Sequence, residues 1–133
     1  MGSTEGIKLG AENVIMTCGA AGGMNSIFKT ILNPGDNVVV SAPFFAEYTA
    51  YAANHGGKLV PVKAKDDLDI DVDAVEKAID RHTAAMIINS PNNPSGRIYP
   101  ASTIRKLADM LRKKSCEIGH AIYLISDEPY KKI

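Results

Sequence analysis

Apolar positions along the chain follow two alternating rhythms. Short runs at 13–18 (NVIMTC), 37–41 (NVVVS), 58–62 (KLVPV), 84–89 (AAMIIN) and 121–126 (AIYLIS) predict strands. Longer amphipathic stretches between them predict helices. One covers 20–32 and is ended by NPGD; another covers 45–55 and is stopped by Gly56 and Gly57. Asp71 is a candidate N-cap for a helix reaching Asp80, with Val72, Val75 and Ile79 at helical spacing. Pro100 suits the first turn of a last helix, whose apolar stripe is Ile104, Leu107, Ala108 and Leu111. Near-continuous apolar strands separated by helix-length crossovers predict an α/β fold, a three-layer αβα arrangement around a mainly parallel sheet of about five strands.

Composition narrows the partners. A length of 133 residues suits one domain, with no internal repeat and no dividing linker. Fifteen basic and fifteen acidic side chains balance, so no excess of charge points to nucleic acid or to an anionic membrane. The cluster Arg112-Lys113-Lys114 falls late on a predicted helix and reads as a solvated face. No apolar run approaches the ~20 residues of a membrane span, and no secretory leader is expected. Cys18 and Cys116 lie far apart and outside any CxxC spacing, and His55, His82 and His120 are scattered. A metal site is therefore not expected, and a reducing, cytoplasmic setting is.

The strand ends carry the candidate chemistry, since open α/β sheets bind ligands at the carboxyl ends of their strands. In CGAAGG, the small residues Gly19, Ala20 and Ala21 either make a tight strand–helix turn or let an anion reach the free N–H groups of a helix start. The stretch is not GxGxxG, no P-loop Lys-Ser/Thr follows, and no acid ends the second strand, so dinucleotide binding is disfavoured. Phe44 and Phe45 follow Pro43; they are core residues, or one is a flat surface for a planar ring. Asn93 in SPNNPSG is either part of a rigid turn or an amide held ready to donate to an oxygen. Asp127 follows an apolar strand, where a carboxylate is expensive unless partnered, with Tyr130 three residues on and Lys131 and Lys132 after it. Together these groups suit a ligand with a phosphate, a flat ring, a phenolate-like oxygen and a protonatable ring nitrogen. Pyridoxal phosphate has all four.

Three stretches, TCGAAGGMNSIFKTILNPGDNVVVSAPFFAEY, INSPNNPSGRIYP and YLISDEPY, closely resemble the class I/II, fold-type I pyridoxal-phosphate-dependent aminotransferases of the aspartate aminotransferase superfamily. The match runs in order over nearly the whole chain. The resemblance implies that Gly19, Ala20 and Ala21 hold the cofactor phosphate and that Phe45 stacks on its ring. It implies further that Asn93 and Tyr130 share the ring oxygen and that Asp127 pairs with the ring nitrogen.

The same resemblance implies that residues 1–133 are part of a large, cofactor-binding domain. The lysine that bonds the cofactor and the small domain fall beyond these residues in the family pattern, and Lys131 and Lys132 do not replace that lysine. No catalytic residue is therefore assigned, and the isolated chain is expected to be inactive. The complete enzyme is expected to move an amino group from an amino acid to a 2-oxo acid by a ping-pong route, as a homo-oligomer. Lyase, decarboxylase and cyclopropane-carboxylate synthase chemistries share the superfamily, and a non-catalytic binding module is a further alternative. In the family sheet two later strands separate the first from the fifth. The first strand is thus expected either to be displaced or to join a rearranged sheet, with self-association along the open edge.

Overall fold

A computed structural model of the protein describes residues 9–130. Four strands form one sheet: β1 (Asn37–Ala42), β2 (Lys58–Lys63), β3 (Thr83–Asn89) and β4 (Tyr123–Asp127). All pairings are parallel, in the order β2-β1-β3-β4. The helices are α1 (Gly19–Ile31), α2 (Tyr48–Ala53), α3 (Val72–Ala78) and α4 (Ala101–Ile118).

Strand alternation divides the core into two layers. Val38, Val40, Ala85 and Ile87 face α1 and α2, meeting Met24, Phe28, Tyr48 and Tyr51. Val39, Met86 and Ile88 face α3 and α4, meeting Val75, Leu107 and Leu111. β3 is buried at every position because it has a strand on each side and a helical layer on each face. β2 is an edge strand, which is where the exposed Pro61 can be accommodated, since proline gives no N–H to a ladder. β4 forms the opposite edge and leaves Tyr123 and Leu124 exposed.

The helix starts and ends follow local chemistry. Asp71 caps α3 by accepting from the Ala74 N–H at 3.0 Å, a contact of the kind worth about 1 kcal/mol. α3 ends at Ala78, two residues before the expected limit. Pro100 sits one position ahead of α4, as its N-cap, and Gly119 closes that helix with a φ of 81°. The basic cluster is a solvated face: Arg112 pairs with Asp109 at 3.0 Å, Lys114 with Glu117 at 2.9 Å, and Lys113 with Glu76 of α3 at 3.4 Å.

The expected strand at 13–18 does not form, so the sheet has four strands among the described residues where about five were expected. Ala11–Asn13 make a single 3-10 turn, and the residues after it run unpaired with Ile15 83% and Met16 90% exposed. Its apolar pattern suits a strand, but a strand also needs a neighbour with free backbone groups. Both sides of β1 and β3 are already taken, and this segment pairs with neither of the two open edges, those of β2 and β4. Displacement, the first of the two expected alternatives, is what is observed.

The α3–β3 connection holds a concentrated polar knot. Asp80 Oδ1 accepts from the His82 N–H at 2.8 Å, from Asn37 Nδ2 at 2.9 Å and from Thr83 Oγ1 at 3.3 Å. Burial raises the Asp80 pKa, but these donors outweigh it and hold the carboxyl below its usual value. Because the folded value is the lower one, the stabilisation is present above the ordinary carboxylate pKa and is lost as pH falls through the folded value. Urea midpoints measured from pH 7 down to pH 2 should therefore fall less steeply for Asp80→Asn than for the wild type.

Candidate functional site

The carboxyl ends of β1, β3 and β4 and the start of α1 surround a cavity of about 250 Å³. β1 leads outward through α2 to β2 on one side, while the chain returns through α3 to β3 on the other. The cavity therefore lies where the strand order reverses, the position at which open α/β sheets leave a crevice.

Six of the seven residues singled out above line it: Ala20, Ala21, Phe45, Asn93, Asp127 and Tyr130. Gly19 does not. It opens α1 with a φ of 70°, a conformation that a side chain would strain, and so turns the chain into the helix that presents the two alanines. The expected helix at 45–55 begins only at Tyr48. Phe45 belongs to the turn ahead of it, where its carbonyl accepts from the Tyr48 N–H, and the turn places its half-buried ring at the cavity.

The SPNNPSG stretch divides its work between two asparagines. Asn92 is buried and staples the loop: its Nδ2 donates to the Tyr99 hydroxyl at 3.0 Å, and its Oδ1 accepts from the Ser95 hydroxyl at 3.0 Å. Gly96, with a φ of 71°, allows the tight return in which the Gly96 N–H reaches the Asn92 carbonyl. That leaves the Asn93 side chain for the cavity, where Nδ2 donates to the Tyr130 hydroxyl at 3.1 Å. The two groups expected to share a ring oxygen thus lie within hydrogen-bond distance of each other.

Asn89, the last residue of β3, is the feature that sequence reasoning missed. It is 4% exposed and lies in register with Asp127 of β4. Its Nδ2 donates to the Asp127 carbonyl at 2.9 Å, while its Oδ1 accepts from the Asn93 N–H at 2.6 Å. One amide thus ties both strand ends that frame the cavity. The available signal was a carboxamide closing a wholly apolar strand, where an unpartnered polar group is costly.

Tyr48 was missed as well, because an aromatic three residues beyond Phe45 reads as core. Core it is, at 1% exposed, but its hydroxyl donates to Asp127 Oδ2 at 2.6 Å. Burial first, and then this bond, push the Tyr48 phenol well above its ordinary pKa. Tyr51 does the same for Glu47; donation to that carboxylate, with burial, pushes the phenol up to about 12. Each acid lining the cavity therefore has its own phenol donor, and no lysine or arginine lines the cavity among the described residues. Lys131 and Lys132 lie outside the described residues.

A doubly covered parallel sheet with an acid, an amide–phenol pair and an aromatic ring at its switch point belongs to the open α/β domains, whose strand ends form ligand crevices. The family model for aminotransferases of class I and II matches residues 1–133, and the chain belongs to that family. It is 35% identical over 130 residues to the probable aspartate/prephenate aminotransferase of Thermus aquaticus, covering 96% of this chain and 32% of that protein. It is 33% identical over 130 residues to the S-alkyl-thiohydroximate lyase of Arabidopsis thaliana, covering 94% of this chain and 26% of that protein. A crystal structure of an aminotransferase from Eubacterium rectale superposes with a TM-score of 0.94 at 45% identity, covering 96% of this chain and 33% of that one. The chain thus spans about a third of the length of the aminotransferases it matches.

Proposed function

We infer that the chain is the cofactor-holding part of a pyridoxal-phosphate-dependent aminotransferase, within the large domain of an enzyme that exchanges an amino group between an amino acid and a 2-oxo acid. The observation that carries this reading is the convergence of Asp127, Asn93, Tyr130 and Phe45 on one cavity beside the start of α1. Their chemistry fits the cofactor group by group. The Asp127 carboxylate favours a positive charge on a ring nitrogen. Asn93 and Tyr130, already bonded to each other, offer donors to one ring oxygen. The Phe45 ring covers a flat face, and the first N–H groups of α1, which have no partner within the helix, suit a phosphate near Gly19, Ala20 and Ala21.

When bound, the cofactor supplies an electron sink for an amino acid that loses its α-proton. The side chains lining this cavity bind and orient; none of the described ones is a lysine that could bond the cofactor or carry the proton. A second reading, lyase chemistry, is favoured by the Arabidopsis relative, since the residues gathered here hold cofactor and leave substrate choice to other groups. The reading also includes a homo-oligomer in a reducing cytoplasm. The reducing setting is supported by two free, exposed cysteines.

Titration of the chain with pyridoxal 5'-phosphate, followed by absorption, tests the assignment. Saturable binding that Asn93→Ala and Asp127→Ala each weaken at least tenfold is expected, with no lysine in the cavity fixed by borohydride. An unchanged spectrum at millimolar cofactor would sink the reading. Activity toward amino acids without an added fragment would overturn the assignment of catalysis to other residues.

A further inference from the structure

We propose that Tyr48 is a positioning residue for Asp127, fixing the carboxylate through Oδ2 so that Oδ1 is left for the ring nitrogen of a ligand in the cavity. The proposal rests on the pyridoxal phosphate reading above and adds a residue to it.

Tyr48 is packed among Phe28, Val38, Ala85 and Ile87, where a phenylalanine ring would fill the same space without a polar atom to satisfy. The hydroxyl instead spends its proton on Asp127, 79 residues away in sequence, at 2.6 Å. Bonds of this kind, from a neutral hydroxyl to an ionised carboxylate, are among the stronger ones in proteins.

A carboxylate turns easily about its last torsion, which has broad minima. Tyr48 holds the Asp127 side chain from the α2 layer, while Asn89 holds its backbone carbonyl from the adjacent strand. The residue is gripped at two points, and neither grip uses Oδ1. Tyr48 also meets the Phe45 ring edge-on, with centroids 5.6 Å apart at 81°. One buried side chain therefore braces both the acid and the aromatic that face the cavity. Burial and the bond to Asp127 keep the phenol protonated across the working pH range, so it remains a donor.

Glu47, the other acid lining the cavity, does not compete for this donor, because Tyr51 supplies its bond. The two tyrosines, with ring centroids 6.4 Å apart, thus sort two carboxylates within one small space.

The test is a double-mutant cycle on the full chain with pyridoxal 5'-phosphate labelled with ¹⁵N in the ring. Tyr48→Phe should raise Kd about tenfold and move the ring-nitrogen resonance toward its unprotonated position. In an Asp127→Ala background the same change should do neither, because Tyr48 acts through the carboxylate. A tenfold loss in both backgrounds would show that the hydroxyl serves packing alone and would overturn the proposal. Wild-type affinity and an unmoved resonance in Tyr48→Phe would overturn it equally. Without ligand, the Asp127 carboxyl carbon resonance in ¹³C-labelled chain should shift in Tyr48→Phe; no shift would mean that the bond does not hold the carboxylate. Failure of the wild type to bind pyridoxal phosphate, with that carboxyl shift present, would instead remove the ligand reading and leave the Tyr48–Asp127 bond standing as structure only. If Tyr48→Phe melts more than about ten degrees below the wild type, the hydroxyl is a folding element and the proposal falls.

Discussion

Phe28→Ala is expected to lower the free energy of unfolding by about 3–5 kcal/mol, a large part of the 5–15 kcal/mol typical of a whole domain. α1 buries only two side chains, Met24 and Phe28, and Phe28 is wholly enclosed among Val38, Tyr48 and Ile87. The remaining surface of α1 is partly or fully exposed, including Ile27 at its outer side. Truncation therefore removes most of what fastens this helix to the sheet. The same helix brings Ala20 and Ala21 to the cavity. Urea unfolding should show the lost stability, and pyridoxal phosphate should bind more weakly even under conditions where the sheet is intact. A change below about 1 kcal/mol would mean that α1 is held by something other than this ring.

Asn89→Ala should cost about 2–4 kcal/mol, and its effect should be concentrated at the cavity. The substitution leaves the Asp127 carbonyl and the Asn93 N–H without the partners they now have at 2.9 Å and 2.6 Å. Both groups belong to residues lining the cavity. Asn89→Asp is the sharper comparison: it keeps the acceptor for Asn93 and loses the donor for Asp127. Amide exchange should then stay slow at Asn93 and speed up near Asp127, whereas Asn89→Ala should loosen both. Equal behaviour of the two variants would refute the division of roles between the two ends of this amide.

Much of this architecture is written in local pattern. The runs at 37–41, 58–62, 84–89 and 121–126 became β1 to β4 with ends shifted by a residue or two, because apolar β-branched runs between helix-length stretches leave few alternatives. Asp71 capped its helix as its position implied. The cavity residues that could be named from sequence are those whose chemistry is out of place in a strand or turn: Asn93 among prolines, Asp127 after an apolar run, Phe45 after Pro43. What escaped depends on partners distant in sequence. Tyr48 looks like any core aromatic until Asp127 is placed beside it. Asn89 looks like the last residue of a strand until its register with Asp127 is known. The run at 13–18 has a strand's pattern yet pairs with neither open edge of the described sheet, and no local signal reports whether a pairing will be made.

β4 carries two duties at once. Among the described residues it is joined to the sheet through β3 alone, and it ends in the Asp127 carboxylate that faces the cavity, with the Tyr130 phenol three residues on. A ligand that touched Asn93 and Asp127 together would act as a clasp across the seam between β3 and β4. Its binding energy would be shared with the docking of that strand, so that filling the cavity and seating β4 on β3 become one linked equilibrium.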